Sequence, residues 1–203
     1  MVRSAVEPRR GGTQGVLAQA ANAGDAKAQL RLGVRHHQGV GVTQDYALAA
    51  HWFERAARQG LADAQFNLGL MCYHAQGLPL DYVQAAGWYE LAAAQGHLHA
   101  QVNLAAMYCC GEGVSQYDAE AARLCTLAAQ KGNAGAQFNI GLMYANGKGV
   151  VANQVRAHMW LSVAISSGFS MAFEKRRFIE LHMTDEQIHE ARRLALEWRA
   201  QRA

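Results

Sequence analysis

The side chains of this sequence that could do chemistry are nine histidines, four cysteines, six serines and one glycine-rich run ending in lysine. The closest approach to a metal-ligand pattern is His36-His37 and His97-x-His99. Neighbours on a helix point about 100° apart, so His36 and His37 cannot both aim at one ion. His97 and His99 straddle a helix start, with no further ligand near them in sequence to complete a four-ligand site. Packed or surface histidine is therefore expected, and no metal. Cys72, Cys109, Cys110 and Cys125 show no Cys-x-x-Cys spacing and are too few for a disulfide framework in a chain of this length. They read as small core residues. A redox or metal role, or a Cys109 to Cys125 link if their helices touch, is the alternative. No serine lies in Gly-x-Ser-x-Gly or has lysine three residues later, which removes the simplest serine hydrolase patterns. The run from Gly141 to Gly147-Lys148 resembles a phosphate loop, but it has five intervening residues and puts Gly149 where Ser or Thr should hold magnesium. Neither a catalytic residue nor a cofactor is expected, and the chain does not read as an enzyme.

Charge argues against nucleic acid. The formal net charge is +3, but residues 17–168 hold equal numbers of basic and acidic side chains, so the surplus comes from the two ends. A nucleic-acid binder concentrates its positive charge on the working surface. With 51% hydrophobic residues and only two prolines, the chain must bury a core and has few of the breaks a β-rich fold uses. No stretch approaches the roughly 20 apolar residues of a membrane span, and Met1 to Thr13 lacks the apolar run of a secretory signal. A cytoplasmic protein is expected, or a periplasmic one if a leader has been removed.

The elements that carry these residues are set by an internal period. Glycines fall at 24, 60, 96, 132 and 168, each 36 residues from the last. In the same frame Gly33, Gly69, Ala105 and Gly141 correspond, as do Gly41, Gly77, Gly113 and Gly149, and Trp52, Trp88, Leu124 and Trp160. Ala28-Gln29, Ala64-Gln65, Ala100-Gln101 and Ala136-Gln137 form a further register. Each unit reads as two helices, A from about Asp25 to Gln38 and B from about Asp45 to Gln59. Asp45, Asp81 and Asn153 stand where a side chain can cap helix B; Tyr117 holds that place in the third unit, so its helix is expected to start a residue late. The small Gly33 side of helix A is expected to meet helix B closely, and the recurrent tryptophans to form inter-helix core rather than a ligand-stacking platform. Val16, Leu17, Ala20 and Ala21 match the end of a helix B, whereas residues 1–13 match nothing and are expected to be a disordered tail. Thr184 and Gln187 form a capping box for a last helix with one apolar face, Ile188, Ala191, Leu194, Ala195 and Trp198.

The segment Ala64-Gln65-Phe66-Asn67-Leu68-Gly69-Leu70-Met71, followed by Gly77, Asp81, Ala85, Trp88-Tyr89, Ala92-Ala93 and Gly96, resembles the Sel1-like repeat family, relatives of tetratricopeptide repeats. The likeness covers about 24–168, and Met183-Thr184-Asp185-Glu186-Gln187 looks like the cap that often closes bacterial members. It departs at Pro79, at Leu124-Cys125 in place of an aromatic pair, and at His36 and Cys72, where Tyr108 and Tyr144 keep the aromatic. The fold class read from period and resemblance together is all-α, a right-handed α-α superhelix of four 36-residue helix-turn-helix repeats plus C-terminal capping helices. The expected layout is one domain over 14–203, with repeats at about 24–59, 60–95, 96–131 and 132–167 and a cap over 168–203. The resemblance implies an adaptor or scaffold in signalling or envelope-related assemblies. A regulatory subunit of an enzyme in such a pathway, or a hydrolase with an unrecognised site, is the alternative.

In such a fold the partner is a protein or peptide held on the concave face. Positions 27, 31, 35 and 38 of helix A, with their equivalents, are expected there: Lys27, Arg31 and Arg35, then Asn67, Met71 and His74, then His99, Asn103 and Met107, then Asn139 and Met143. An asparagine ladder would bond a peptide backbone and a methionine ladder would accept varied side chains. In the other reading, asparagine bridges to adjacent repeats and methionine packs between helices.

Overall fold

The structure is a computed structural model that describes residues 10–202, with side chains from Gly15 onward. Among these residues the chain is all-α. A lone helix α1 (Arg10–Asn22) precedes four A–B pairs: α2 (Ala26–Gln38) with α3 (Tyr46–Arg58), α4 (Ala62–Tyr73) with α5 (Tyr82–Ala94), α6 (Leu98–Cys110) with α7 (Asp118–Gln130), and α8 (Ala134–Asn146) with α9 (Gln154–Ser166). Two further helices follow, α10 (Ala172–Glu180) and α11 (Asp185–Ala200). The expected tail over 1–13 lies outside the described residues as far as residue 9, and residues 10–13 fall within α1. The chain forms two compact units that divide inside α5, one through Leu91 and one from Ala92. No helix among the described residues is long and apolar enough to cross a membrane.

Local sequence sets the helix ends. The carboxylates of Asp45 and Asp81 accept the Leu48 and Gln84 amides at 2.9 Å, and Asn153 does the same for Arg156. Each satisfies one of the backbone donors a helix start leaves free. Tyr117 offers no such bond, yet α7 starts at Asp118, in register with the other B helices. The late start expected from Tyr117 is therefore wrong, and packing sets the register without a cap. The capping box of α11 is present in both directions, Thr184 Oγ1 to the Gln187 amide and Gln187 Oε1 to the Thr184 amide.

Two recurrent side chains hold helix A to the helix before it and to its own partner. The glutamine of each Ala-Gln pair is buried and donates Nε2 to a carbonyl in the last turn of the preceding helix. Gln29 reaches Ala21 at 3.0 Å, Gln65 reaches Ala57 at 3.2 Å, Gln101 reaches Ala93 at 3.2 Å and Gln137 reaches Ala129 at 3.3 Å. Those carbonyls are among the acceptors a helix end cannot satisfy internally. Four residues on, the glycine faces helix B: a Cβ on Gly69 would lie 2.7 Å from Cε1 of Tyr89, and one on Gly141 3.0 Å from Cγ of Leu161.

The loop glycine between helices A and B does similar work between repeats. A Cβ on Gly77 would stand 2.4 Å from the carbonyl oxygen of Tyr46, and one on Gly149 2.0 Å from that of Asp118, so each loop lies on the first turn of the preceding helix B. A Cβ on Gly41 in the first repeat would have nothing within 4 Å among the described residues.

In the first unit Phe53, Met71, Leu68 and the small Ala49, Ala50, Ala56, Ala57 and Ala64 form the core. In the second unit Ala157, Leu161, Ala164, Ala172 and Ile179 join α9 to α10. There α11 lies on α9 with Ala191 and Ala195 buried.

Candidate functional site

The polar positions of the A helices divide by how far they turn from the core. In the first unit Lys27 and Arg31 on α2 are exposed and Arg35 is half-buried. On α4 Asn67 is half-buried and donates Nδ2 to the Asp63 carbonyl of its own helix at 2.7 Å. His74 is exposed at the C-cap, its ring 5.1 Å from that of Tyr73. In the second unit His99 is exposed, 5.9 Å ring to ring from His97, whose Nδ1 accepts the Ala100 amide and caps α6. Asn103 on α6 and Asn139 on α8 are half-buried at the same register, and among the described residues neither side chain has a hydrogen-bond partner.

The methionines expected beside them are not on this surface. Met71 and Met107 are each 1% exposed and Met143 5%. A helix turns 100° per residue, so eight residues after Lys27 the direction has drifted by about 80°. That drift carries the position of Arg35 and Met71 onto the face of Ala64 and Leu68, which is core. Methionine packing between helices, the other reading of that ladder, is the one the structure holds.

Two clusters contain the groups a catalyst would need, and neither is arranged as one. In the first unit Cys72, His51 and Glu54 line one cleft. Burial pushes the Cys72 thiol up, with the carboxylates of Asp81 and Glu54 adding to the rise, so it is held away from the thiolate a nucleophile requires. The His51 ring lies edge-on to Trp52 at 5.2 Å. In the second unit His158 Nε2 lies 2.7 Å from Glu180 Oε1, and its Nδ1 lies 3.4 Å from Ser162 Oγ. Serine, histidine and carboxylate are thus in the order of a hydrolase triad, but His158 is fully buried, so no substrate could meet the imidazole. Arg176 and Arg192 approach the same carboxylate at 3.7 and 3.6 Å. Burial lowers the His158 pKa, outweighing the opposite pull of Glu180. For Glu180, burial is overcome by the His158 hydrogen bond and the two arginines, and its pKa is lowered. The cluster joins α9 to α10 and α11. No group of three or more candidate ligands that could hold a metal occurs among the described residues.

Comparison with protein families identifies the repeat. The Sel1 repeat model matches four times in succession, over residues 26–61, 62–97, 98–133 and 134–169. The chain belongs to the Sel1 repeat family. Among solved structures, this Sel1 repeat protein is similar to a protective antigen of uropathogenic Escherichia coli with the same fold, at 42% identity and a TM-score of 0.76 over 78% of this chain and 34% of that one. It is similar to a Sel1 repeat protein of Oxalobacter formigenes at 34% identity and a TM-score of 0.73, over 80% of this chain and 48% of the other. The chain thus spans between a third and half of the length of those relatives. An immunity protein of Pseudomonas aeruginosa, 20% identical with a TM-score of 0.51 over 91% of this chain and 72% of its own, shares the fold. Comparison with curated proteins gives no match.

Set in the Sel1 frame, both clusters arise at departures from the repeat. His158 occupies the register of Ala50, Ala86 and Ala122, and Cys72 the register of Tyr108 and Tyr144. The Cys72 departure is visible in the sequence. The partners of His158 come from outside the repeats, on α10 and α11, and no spacing rule points to them.

Proposed function

We propose that this Sel1 repeat protein is a scaffold that binds a protein or peptide partner through the exposed and half-buried polar positions of its A helices. In the first unit these are Lys27, Arg31, Arg35, Asn67 and His74; in the second they are His99, Asn103 and Asn139. The observation that carries the reading is the pair Asn103 and Asn139. Asparagine is a poor helix former, yet it recurs at one register of two A helices with its carboxamide accessible and, among the described residues, unpartnered. A carboxamide can donate to and accept from a peptide backbone at once. The three cations of α2 lend the first unit a preference for acidic segments. Solenoid repeats present such rows of side chains as extended binding surfaces.

The test is binding to a partner captured on the tagged chain. Arg31→Ala with Arg35→Ala should weaken binding and flatten its salt dependence, because exposed charge pairs are screened at physiological ionic strength. Asn103→Ala with Asn139→Ala should weaken it at low and high salt alike. Wild-type affinity in both folded double variants would move the working surface off the A helices.

A further inference from the structure

The cleft in the first unit has a volume of about 250 Å³ and lies between α3 and α5, with α4 beneath it. Cys72 forms its floor, Leu78 and Trp88 its walls, and His51, Glu54 and Gln84 its rim. Its origin can be read from the later repeats. One and two repeats on, the register of Cys72 holds Tyr108 and Tyr144. In the fourth repeat the Tyr144 ring is half-buried against the cluster of Ala157 and Leu161. Its hydroxyl accepts from Arg156 Nη1 at 3.0 Å, and the guanidinium stands 5.6 Å from the ring centroid. Arg156 corresponds in the second repeat to Gln84, on the rim of the cleft. The second repeat therefore keeps the surroundings of a tyrosine, including a donor at the hydroxyl position, and lacks the ring itself.

We propose that this cleft is a receptor for an uncharged phenol ring, the tyrosine side chain of a bound polypeptide, seated where later repeats seat their own. The ring would lie against Trp88 and Leu78, and such aromatic contacts favour edge or offset packing. The hydroxyl would accept from the Gln84 carboxamide or donate to the Glu54 carboxylate. Charge selects the ring: Glu54 at the rim, with Asp81 close enough to act on Cys72, repels a phosphorylated or carboxylated one. The proposal rests on reading the chain as a protein-binding scaffold, but uses none of the A-helix positions named for it, so the two fail separately.

The test titrates the full chain with p-cresol and with N-acetyltyrosinamide, followed by amide and indole shifts in heteronuclear NMR. Saturable shifts confined to Trp88, Gln84 and their neighbours are expected with both, and binding at least tenfold weaker with 4-methylphenyl phosphate. Cys72→Tyr places the chain's own ring in the cleft and should abolish the shifts while raising the melting temperature. Should that variant fail to fold, Glu54→Lys serves instead: the residue is half-buried and, among the described residues, is paired with Arg58 four positions on, and its reversal should turn the preference toward the aryl phosphate. Dispersed shifts, a folded Cys72→Tyr chain that binds p-cresol as before, or an unchanged preference in Glu54→Lys would overturn the cleft assignment. Binding of p-cresol without N-acetyltyrosinamide would overturn the polypeptide source.

Discussion

Gly33 and Phe53 meet so closely that a Cβ on the glycine would lie 2.5 Å from Cδ1 of the ring. The clearance is tighter against the two aromatic rings than against leucine. It is 2.7 Å to Tyr89 from Gly69 and 3.0 Å to Leu161 from Gly141, while the third repeat pairs Ala105 with the small Cys125 at the same registers. Glycine and ring are thus one unit of packing, chosen together.

Gly33→Ala sets a helix-propensity gain of about 1 kcal/mol against an overpacking cost of about 1–3 kcal/mol. A net loss of stability is expected at Gly33 and Gly69, and a change near zero at Gly141. In the third repeat Cys125→Phe should destabilise, and adding Ala105→Gly should recover part of the loss, with a coupling of about 0.5–3 kcal/mol in a double-mutant cycle. Urea melts of the four variants decide it. A Gly33→Ala chain as stable as wild type would refute the account of the glycines.

This pairing was legible because it repeats: Gly33, Gly69 and Gly141 stand out against a helical background, and Asp45, Asp81 and Thr184 announce helix starts by chemistry local to a turn. Met71 was not legible as core. Its placement depends on how far a stripe drifts over eight residues, and Arg35 at the same register in the first repeat suggested a surface. The His158 cluster and the Cys72 cleft were hidden for another reason. Both are single departures whose meaning lies in side chains distant in sequence, Glu180 and Arg192 in one case and Glu54 and Trp88 in the other.

The buried glutamines predict a stabilising change. Gln29 Oε1 accepts from Gln59 Nε2 at 2.7 Å, but the oxygens of Gln101 and Gln137 are buried without a partner. The register of Gln59 holds Lys131 and Ser167 in those repeats. Serine is too short, and the Lys131 ammonium instead lies over Gly96, 2.8 Å from where a Cβ would be. Lys131→Gln and Ser167→Gln should each supply the missing donor and add about 0.5–1.5 kcal/mol. Calorimetry showing no rise in either variant would mean that water already satisfies these oxygens.

The His158 cluster should make stability fall in acid. The folded chain holds His158 below its ordinary 6.5, so under that pH the unfolded chain takes up a proton that the folded one resists. Stability then drops as pH falls from about 6.5 toward the lowered folded value. Glu180, held below its ordinary 4.5, adds a contribution present above that pH and lost as pH falls through its folded value. His158→Ala, which restores the alanine of the other repeats, should flatten the stability profile in the window below about pH 6.5 and, by removing the hydrogen bond that lowers Glu180, shrink the Glu180 part as well. Denaturant unfolding across that window measures the slope directly. Equal slopes in both proteins would mean that His158 titrates alike in the folded and unfolded chains.

The last helix should act as a lid on the fourth repeat. Trp160 on α9 is 6% exposed because Trp198 of α11 meets it edge to face, with ring centroids 5.6 Å apart. Arg202 in turn lies over Trp198 at 4.2 Å and donates to the Gln130 carbonyl at 2.9 and 3.2 Å, which ties the end of the lid to α7. Deleting 184–203 would bare Trp160 and remove Arg192 from the Glu180 carboxylate, leaving an apolar face where terminal repeats need a polar one. Oligomers or aggregates are expected on size-exclusion chromatography. Trp198→Ala removes the edge-to-face contact with Trp160 and the Arg202 cation–π contact and, since that ring is half-buried, should cost less than the roughly 3–5 kcal/mol of a fully buried tryptophan. Arg202→Ala, which loses an exposed cation–π contact, should cost about 0.5–1 kcal/mol. A deletion chain that stays monomeric and melts with wild type would show that α11 rides on the repeat without stabilising it, and the order of the three losses separates burial from the tether.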